Sequence, residues 1–322
     1  LADVLQRELD QGVIEEDAEL DLKYRLRQVC ARHLDDRARA LDCYREVLAV
    51  RPENEQATAA LEGLLESPEQ QADAAAILAP LYEEREDFEK LARAYDILHE
   101  HADDEFEKLD YLLKQGEIFS QSIGSPERAF AAYSRAFKQN PAEKTALEHL
   151  EEITAILDSW EDLVSLLEEG GRAAEDPEVG VDLWLRAARI LDTQVDDVER
   201  AIRAYNAALE LDGQNVEAIG ALEQIYSRTE RYGDLIGILR VKVDVTVDAD
   251  DKQEIYRQMA MIHEEMLEQP AEAVGCLKEI LALDPANLDA LKDLDKLYVR
   301  LENWADLADN LQQQLGLEGD LE

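Results

Sequence analysis

The chain repeats itself every 72 residues, and that periodicity limits its fold more than any other feature of the sequence. Residues 109–119 step forward by 72 onto residues 181–191. A second step sets Trp184 on Tyr256, Ala188 on Ala260 and Ile190 on Ile262. Ala129, Ala201 and Ala273 share one slot, Leu150, Leu222 and Leu294 another, and Ile153, Ile225 and Leu297 a third. An aromatic keeps step too, at Phe88, Trp160, Tyr232 and Trp304. A fixed period of this length means stacked supersecondary units, each unable to bury its apolar face alone.

Within a unit the apolar spacing is helical. Ala129, Tyr133, Ala136 and Phe137 recur at three and four, as do Leu147, Leu150, Ile153 and Leu157. Turn signals cut the unit into four helices of about a dozen residues. Ser125-Pro126-Glu127 opens one with a cap, a first-turn proline and an acid suited to a helix N-terminus. Asn140-Pro141, Asp284-Pro285 and Asp176-Pro177-Glu178 mark further boundaries. Seven of the eight prolines stand at such places, and Pro80, inside the apolar run 77–82, does not.

The period fails once. Pro52 to Pro141 is 89 residues, whereas Phe88 to Trp160 is again 72. This predicts an irregular seam near residues 61–86 holding an extra short helix, then regular units from about 105 to 316. Proline inside a helix removes a backbone bond and clashes with the preceding turn, so a kink or break is expected at residues 78–81, with a change of stacking direction. Residues 241–247 alternate like a strand. Their place in the repeat, the tail of an outer helix at residues 169–175, predicts helix instead.

Half of a 72-residue unit is close to the tetratricopeptide length, and the residues resemble that family. Leu112, Gly116, Phe119, Ala129, Tyr133, Ala136 and Pro141 run large, small, aromatic, small, aromatic, small, proline. Trp184, Ala188, Leu191, Ala201, Tyr205 and Ala208 repeat the order, as do Tyr256, Ala260, His263, Ala273, Leu277, Ile280 and Pro285. Ala40, Tyr44, Val47 and Pro52 give an earlier copy. Every second hairpin diverges: Leu163, Leu235 and Leu307 stand where the family has a small alanine.

The resemblance covers nearly the whole chain. It implies an all-α, right-handed α-solenoid of antiparallel helix pairs, residues 1–322 forming a slice of one array. It also implies a concave groove lined by the first helix of each hairpin, which holds a peptide or a partner helix. Members that clamp the C-terminal carboxylates of chaperones use Lys and Asn at fixed slots. Here those slots read Leu113, Glu117, Leu185 and Arg189, which excludes that ligand.

Charge narrows the partner. Lys and Arg total 33 against 75 Asp and Glu, a net of −42. Such a surface repels nucleic-acid phosphates and anionic lipid, and it serves either solubility or the steering of a basic partner. The expected groove positions are Asp110, Glu117, Glu148 and Glu152 in the middle of the chain. Further on, Arg189, Arg257, Lys292, Lys296 and Arg300 join Asp182, Glu217 and Asp289, so the groove would run from acidic to mixed. The function expected is a protein-interaction scaffold binding a cationic peptide or helix. An accessory segment of a larger protein and a self-associating array are the alternatives. For a slice, the end faces Leu1, Val4, Leu5 and Leu9, and Leu307, Leu311 and Leu315, should be apolar and exposed.

Catalytic, cofactor and metal sites are not expected. Gly170-Gly171 has no Lys-Ser/Thr or strand context for a phosphate loop. His263-Glu264-Glu265 has Leu267 where a zinc-protease motif needs its second histidine. His263 fills an aromatic slot and is expected to pack. His99 and His101, with Asp103 and Asp104 nearby, fall on different helix faces. Trp160, Trp184 and Trp304 keep repeat spacing and are expected in the core. Cys30, Cys43 and Cys276 are scattered, form no ligand pair, and fit a reducing compartment such as the cytoplasm. No apolar run approaches the length of a membrane span.

Overall fold

The computed structural model describes residues 37–319, which form sixteen α-helices and, among the described residues, no strand. The chain divides into two compact units between Ser159 and Trp160. The N-terminal unit holds α1 (Arg37–Val50), α2 (Glu55–Leu64), α3 (Gln71–Glu84), α4 (Phe88–His101), α5 (Glu105–Glu117), α6 (Pro126–Gln139) and α7 (Lys144–Leu157). The C-terminal unit holds α8 (Trp160–Ala173), α9 (Pro177–Ile190), α10 (Val198–Leu211), α11 (Val216–Arg228), α12 (Tyr232–Val245), α13 (Ala249–Met261), α14 (Pro270–Leu283), α15 (Leu288–Arg300) and α16 (Trp304–Gly319). Within each unit every helix packs on the next in sequence. Short polar connections favour this packing of sequence neighbours.

The helix ends repeat as faithfully as the cores. Asp104, Asp176 and Asp248 each cap a first helix by accepting from backbone N–H groups two or three residues on. Asn54, Asn215 and Asn287 do the same for α2, α11 and α15. α5, α9 and α13 each run into a single π-helical turn, Ile118–Ile123, Leu191–Val195 and Ile262–Met266.

Each positive-φ residue among the described residues also keeps the 72-residue step. Gly124, Asp196 and Glu268 follow the π turns, and Glu86, Asp158, Glu230 and Glu302 join the helices of the other hairpins. At the latter, the N–H groups of Asp87, Ser159, Arg231 and Asn303 reach back five residues to carbonyl oxygens. That bond closes a helix when the preceding residue is left-handed. Glycine suits that residue, and glutamate carries about 1 kcal/mol of strain there. Glu230→Gly is therefore expected to stabilise the C-terminal unit by about 0.5–1 kcal/mol, with no gain from Glu230→Ala. Urea midpoints check it, and equal midpoints for the two variants would remove the strain.

Two expectations need correction. Pro80 does not break its helix: α3 runs unbroken from Gln71 to Glu84. Ala76 and Pro80 are both exposed, so the carbonyl that lost its N–H partner faces water. The region of the seam holds the end of α2, which starts at Glu55, and the whole of α3. The tryptophans are not all core: Trp160 and Trp184 are half-buried and Trp304 is 61% exposed. Trp160 and Trp304 are the first residues of their helices. Residues 241–245 are helical, the end of α12, so stacking overrides their β propensity. Cys43 and Cys276 are buried, and burial pushes the Cys276 thiol up to about 11. Leu1, Val4, Leu5, Leu9 and Cys30 lie outside the described residues.

Candidate partner-binding site

Small residues bring the two helices of a hairpin close. A Cβ on Gly116 would stand 2.6–2.8 Å from three ring atoms of Tyr133, so α5 crosses α6 with the ring against its backbone. Gly171, inside α8, likewise meets the Trp184 indole of α9, the first helix of the next hairpin, at 2.9–3.1 Å. Ala129, Ala201 and Ala273 are fully buried at the matching slot of α6, α10 and α14. Small-against-large crossings of this kind recur along the chain. No family model matches the chain, and no curated protein does.

Solved structures similar to it include the C-terminal part of a TPR repeat-containing protein from Cytophaga hutchinsonii. That chain is 15% identical over 78% of this chain and 98% of its own, with a TM-score of 0.34. YrrB, described as a TPR protein with an unusual peptide-binding site, is 16% identical over 62% of this chain and 97% of its own, at 0.33. Naa15/Naa10 bound to HypK-THB is 12% identical over 99% of this chain and 64% of its own, at 0.39.

The expected groove residues all stand on first helices. In the N-terminal unit, Asp110 and Glu117 are exposed on α5, and Glu148 and Glu152 on α7. Asp110 is neutralised by Lys114 of the next turn at 2.7 Å, whose ammonium also lies 5.9 Å from the Tyr95 ring. Among the described residues, Glu152 pairs with His149 alone, at 3.4 Å. Glu117 and Glu148 form no ion pair among the described residues. Tyr133 ties the two helices together. Burial raises its hydroxyl's pKa, a hydrogen bond with Ser120 opposes this, and the charges of Glu117 and Glu152 add to the rise. Ile156 continues the Glu148–Glu152 stripe by one more turn and is 72% exposed. The sequence did not single it out.

The C-terminal unit uses the same slots differently. Arg189, the counterpart of Glu117, reaches from α9 to Glu217 on α11 at 2.6 Å. Arg228 pairs with Asp192 beside them. Tyr205, the counterpart of Tyr133, has its hydroxyl pushed up to about 12 by burial first and by Asp192 and Glu217, with Arg189 and Arg228 opposing. Asp182 pairs with Arg186, Arg257 with Glu254, and Lys296 with Asp293. Lys292 is exposed and has no ion pair among the described residues. Leu185, which stood in the chaperone-clamp slot, is buried, so that slot belongs to the core.

The other chemistry-bearing residues sit in structural positions. His99 Nδ1 lies 3.2 Å from the Lys108 carbonyl, and His101 Nδ1 lies 2.9 Å from the Ile97 carbonyl. Among the described residues no three His, Cys, Asp or Glu side chains are grouped to hold a metal ion. His263 is buried with Nδ1 against Gln269 Oε1 at 3.0 Å. No described helix is long and apolar enough to cross a membrane.

Proposed function

We propose that the chain is a protein-interaction scaffold whose N-terminal unit takes a basic peptide or amphipathic helix on its first-helix face. The observation that carries this is the pairing of acids without cations. Glu117 and Glu148 are exposed and form no ion pair among the described residues, and Glu148 and Glu152 lead turn by turn to the exposed Ile156. A Lys or Arg of the ligand supplies the missing charge, and an apolar residue one turn away covers Ile156. The matching slots of the C-terminal unit hold Arg189 in place of Glu117, Gly220 and Lys292 in place of Glu148, and Gln224 and Lys296 in place of Glu152, so this unit adds little of the preference.

Binding of Lys/Arg-rich and Asp/Glu-rich helical peptides, measured at two salt concentrations, tests it. At low salt the basic peptide should bind at least about tenfold more tightly, and the difference should shrink as the screening length falls below about 10 Å. Glu148→Lys with Glu152→Lys should abolish it. Equal binding of both peptides, or no loss on charge reversal, leaves the acidity as a solubility device.

Self-association is the second reading, favoured by α16. Leu239 and Val243 of α12 are buried, at 0% and 7% exposed, where α13 covers them. Their counterparts Leu311 and Leu315 are 44% and 71% exposed. Sedimentation at two protein concentrations distinguishes this reading from the first.

A further inference from the structure

The second helices of neighbouring hairpins enclose a groove of their own, and the C-terminal unit contains it twice in repeat register. Between α10, α11 and α12 it is a cavity of about 470 Å³, floored by Leu209, Leu222, Ile238 and Val241. Between α14, α15 and α16 it shrinks to about 230 Å³, lined at positions 72 residues further on. There the chain supplies its own cation. Lys278 Nζ stands 3.8 Å from the Asp306 carboxylate and 5.8 Å from the centre of the Tyr298 ring. The first groove keeps the acid and the ring, as Asp234 and Tyr226, but has Asn206 in place of the lysine. In the N-terminal unit a cavity of about 420 Å³ lies between α1 and α3, and Arg45, Leu48, Ala49 and Pro52 line it with the spacing of Asn206, Leu209, Glu210 and Gly213. Arg45 is again a cation. Of these three grooves, the one at α10–α12 alone lacks one at this position.

That groove is also widened. Gly233 and Gly237 lie one turn apart in α12, and nothing lies within 4 Å of a Cβ added to either. The matching residues are Ala305 and Asp309 in α16, and Glu161 and Ser165 in α8. Glycine in a helix interior costs about 1 kcal/mol relative to alanine, so the space is kept at the expense of the helix. The rim is acidic. Glu210 is exposed with no ion pair among the described residues, and Asp234 is held at 2.8 Å by Arg231, an exposed pair easily exchanged.

We propose that the α10–α12 groove docks a partner segment bearing Lys or Arg one helical turn from a large apolar side chain. The cation takes the place that Lys278 holds one repeat later, against Asp234 and Glu210. The apolar side chain lies over Gly233 and Gly237 on the floor of Leu209, Ile238 and Val241. Charge complementarity selects this occupant: the groove offers an amide and two carboxylates around an apolar floor, in a chain of net charge −42. The site lies on second helices and is independent of the first-helix face proposed above.

The test uses the full chain carrying Glu148→Lys and Glu152→Lys, which silences that other face. The probe is a fluorescein-labelled helical peptide of Ala, Leu and Lys, with a Lys one turn from each Leu. A counterpart with Glu for Lys is the control. The Lys peptide should bind saturably and the Glu peptide should not. Asn206→Lys, which restores the chain's own cation, and Gly233→Ala with Gly237→Leu, which fills the space, should each weaken binding at least about tenfold. Both variants should melt no lower than their parent, because neither removes a buried contact, so lost binding is not lost fold. No binding by the parent, equal binding of the Glu peptide, or undiminished binding by both variants overturns the proposal.

Discussion

Gly116→Ala is expected to destabilise the N-terminal unit by about 2 kcal/mol, although the same change in most helix interiors is stabilising. The added carbon would lie 2.6–2.8 Å from the Tyr133 ring. That ring has nowhere to go. It is 1% exposed and stacks on His149 of α7, with ring centres 4.8 Å apart. Moving it would disturb three helices together. Gly63 and Gly220, with nothing within 4 Å of an added Cβ, provide the contrast, and alanine at either should stabilise by about 0.5–1 kcal/mol. Gly171→Ala should fall between, because the half-buried Trp184 that meets it has solvent on one side. If the Tyr133 contact is the cause, Gly116→Ala combined with Tyr133→Leu should lose less than the sum of the two single changes. Urea midpoints of the four proteins give the coupling. Additive losses would place the cost elsewhere.

That close crossing was legible in the sequence because the repeat sets Gly116, Ala188 and Ala260 in one slot and the large residues in others. Buried slots repeat since each unit solves the same packing problem. The exposed slots obey no such rule, so the repeat does not specify their partners. Arg189 and Glu217 stand 28 residues apart and were named as two groove positions, yet they form one ion pair across two helices. Whether Asp110 keeps its charge free depends on Lys114, a local neighbour that a list of inward-facing acids leaves out. Backbone detail was invisible for a different reason. The left-handed residue at each turn is glutamate or aspartate more often than glycine, so the usual residue signal is missing while the geometry persists. Pro80 is tolerated because it lies on the exposed side of α3, where the orphaned carbonyl is hydrated, a circumstance that local propensity does not show. The widened groove at Gly233 and Gly237 could have been found by asking which unit departs from its own repeat.

Leu294→Ala is expected to cost about 3–4 kcal/mol, within the usual range for a buried leucine, and to act locally. Leu294 is 1% exposed on α15, in the slot that Leu150 and Leu222 fill elsewhere. Its helix packs on α14 and α16. In a repeat array stability is close to a sum of unit and nearest-neighbour terms, so the loss should stay near the altered repeat. Hydrogen exchange should speed by two or more orders of magnitude, about what 3–4 kcal/mol allows, in α14–α16. α5–α7, in the other compact unit, should keep their protection. Leu150→Ala should reverse the pattern, opening α6 and α7 first, since α6 packs on α7. It should also cost somewhat more. Leu294 borders the 230 Å³ groove, where water can reach the vacated space, whereas no cavity described above touches Leu150. Exchange read peptide by peptide on the two variants separates this from a single cooperative fold, in which either substitution would lower protection evenly from α3 to α16.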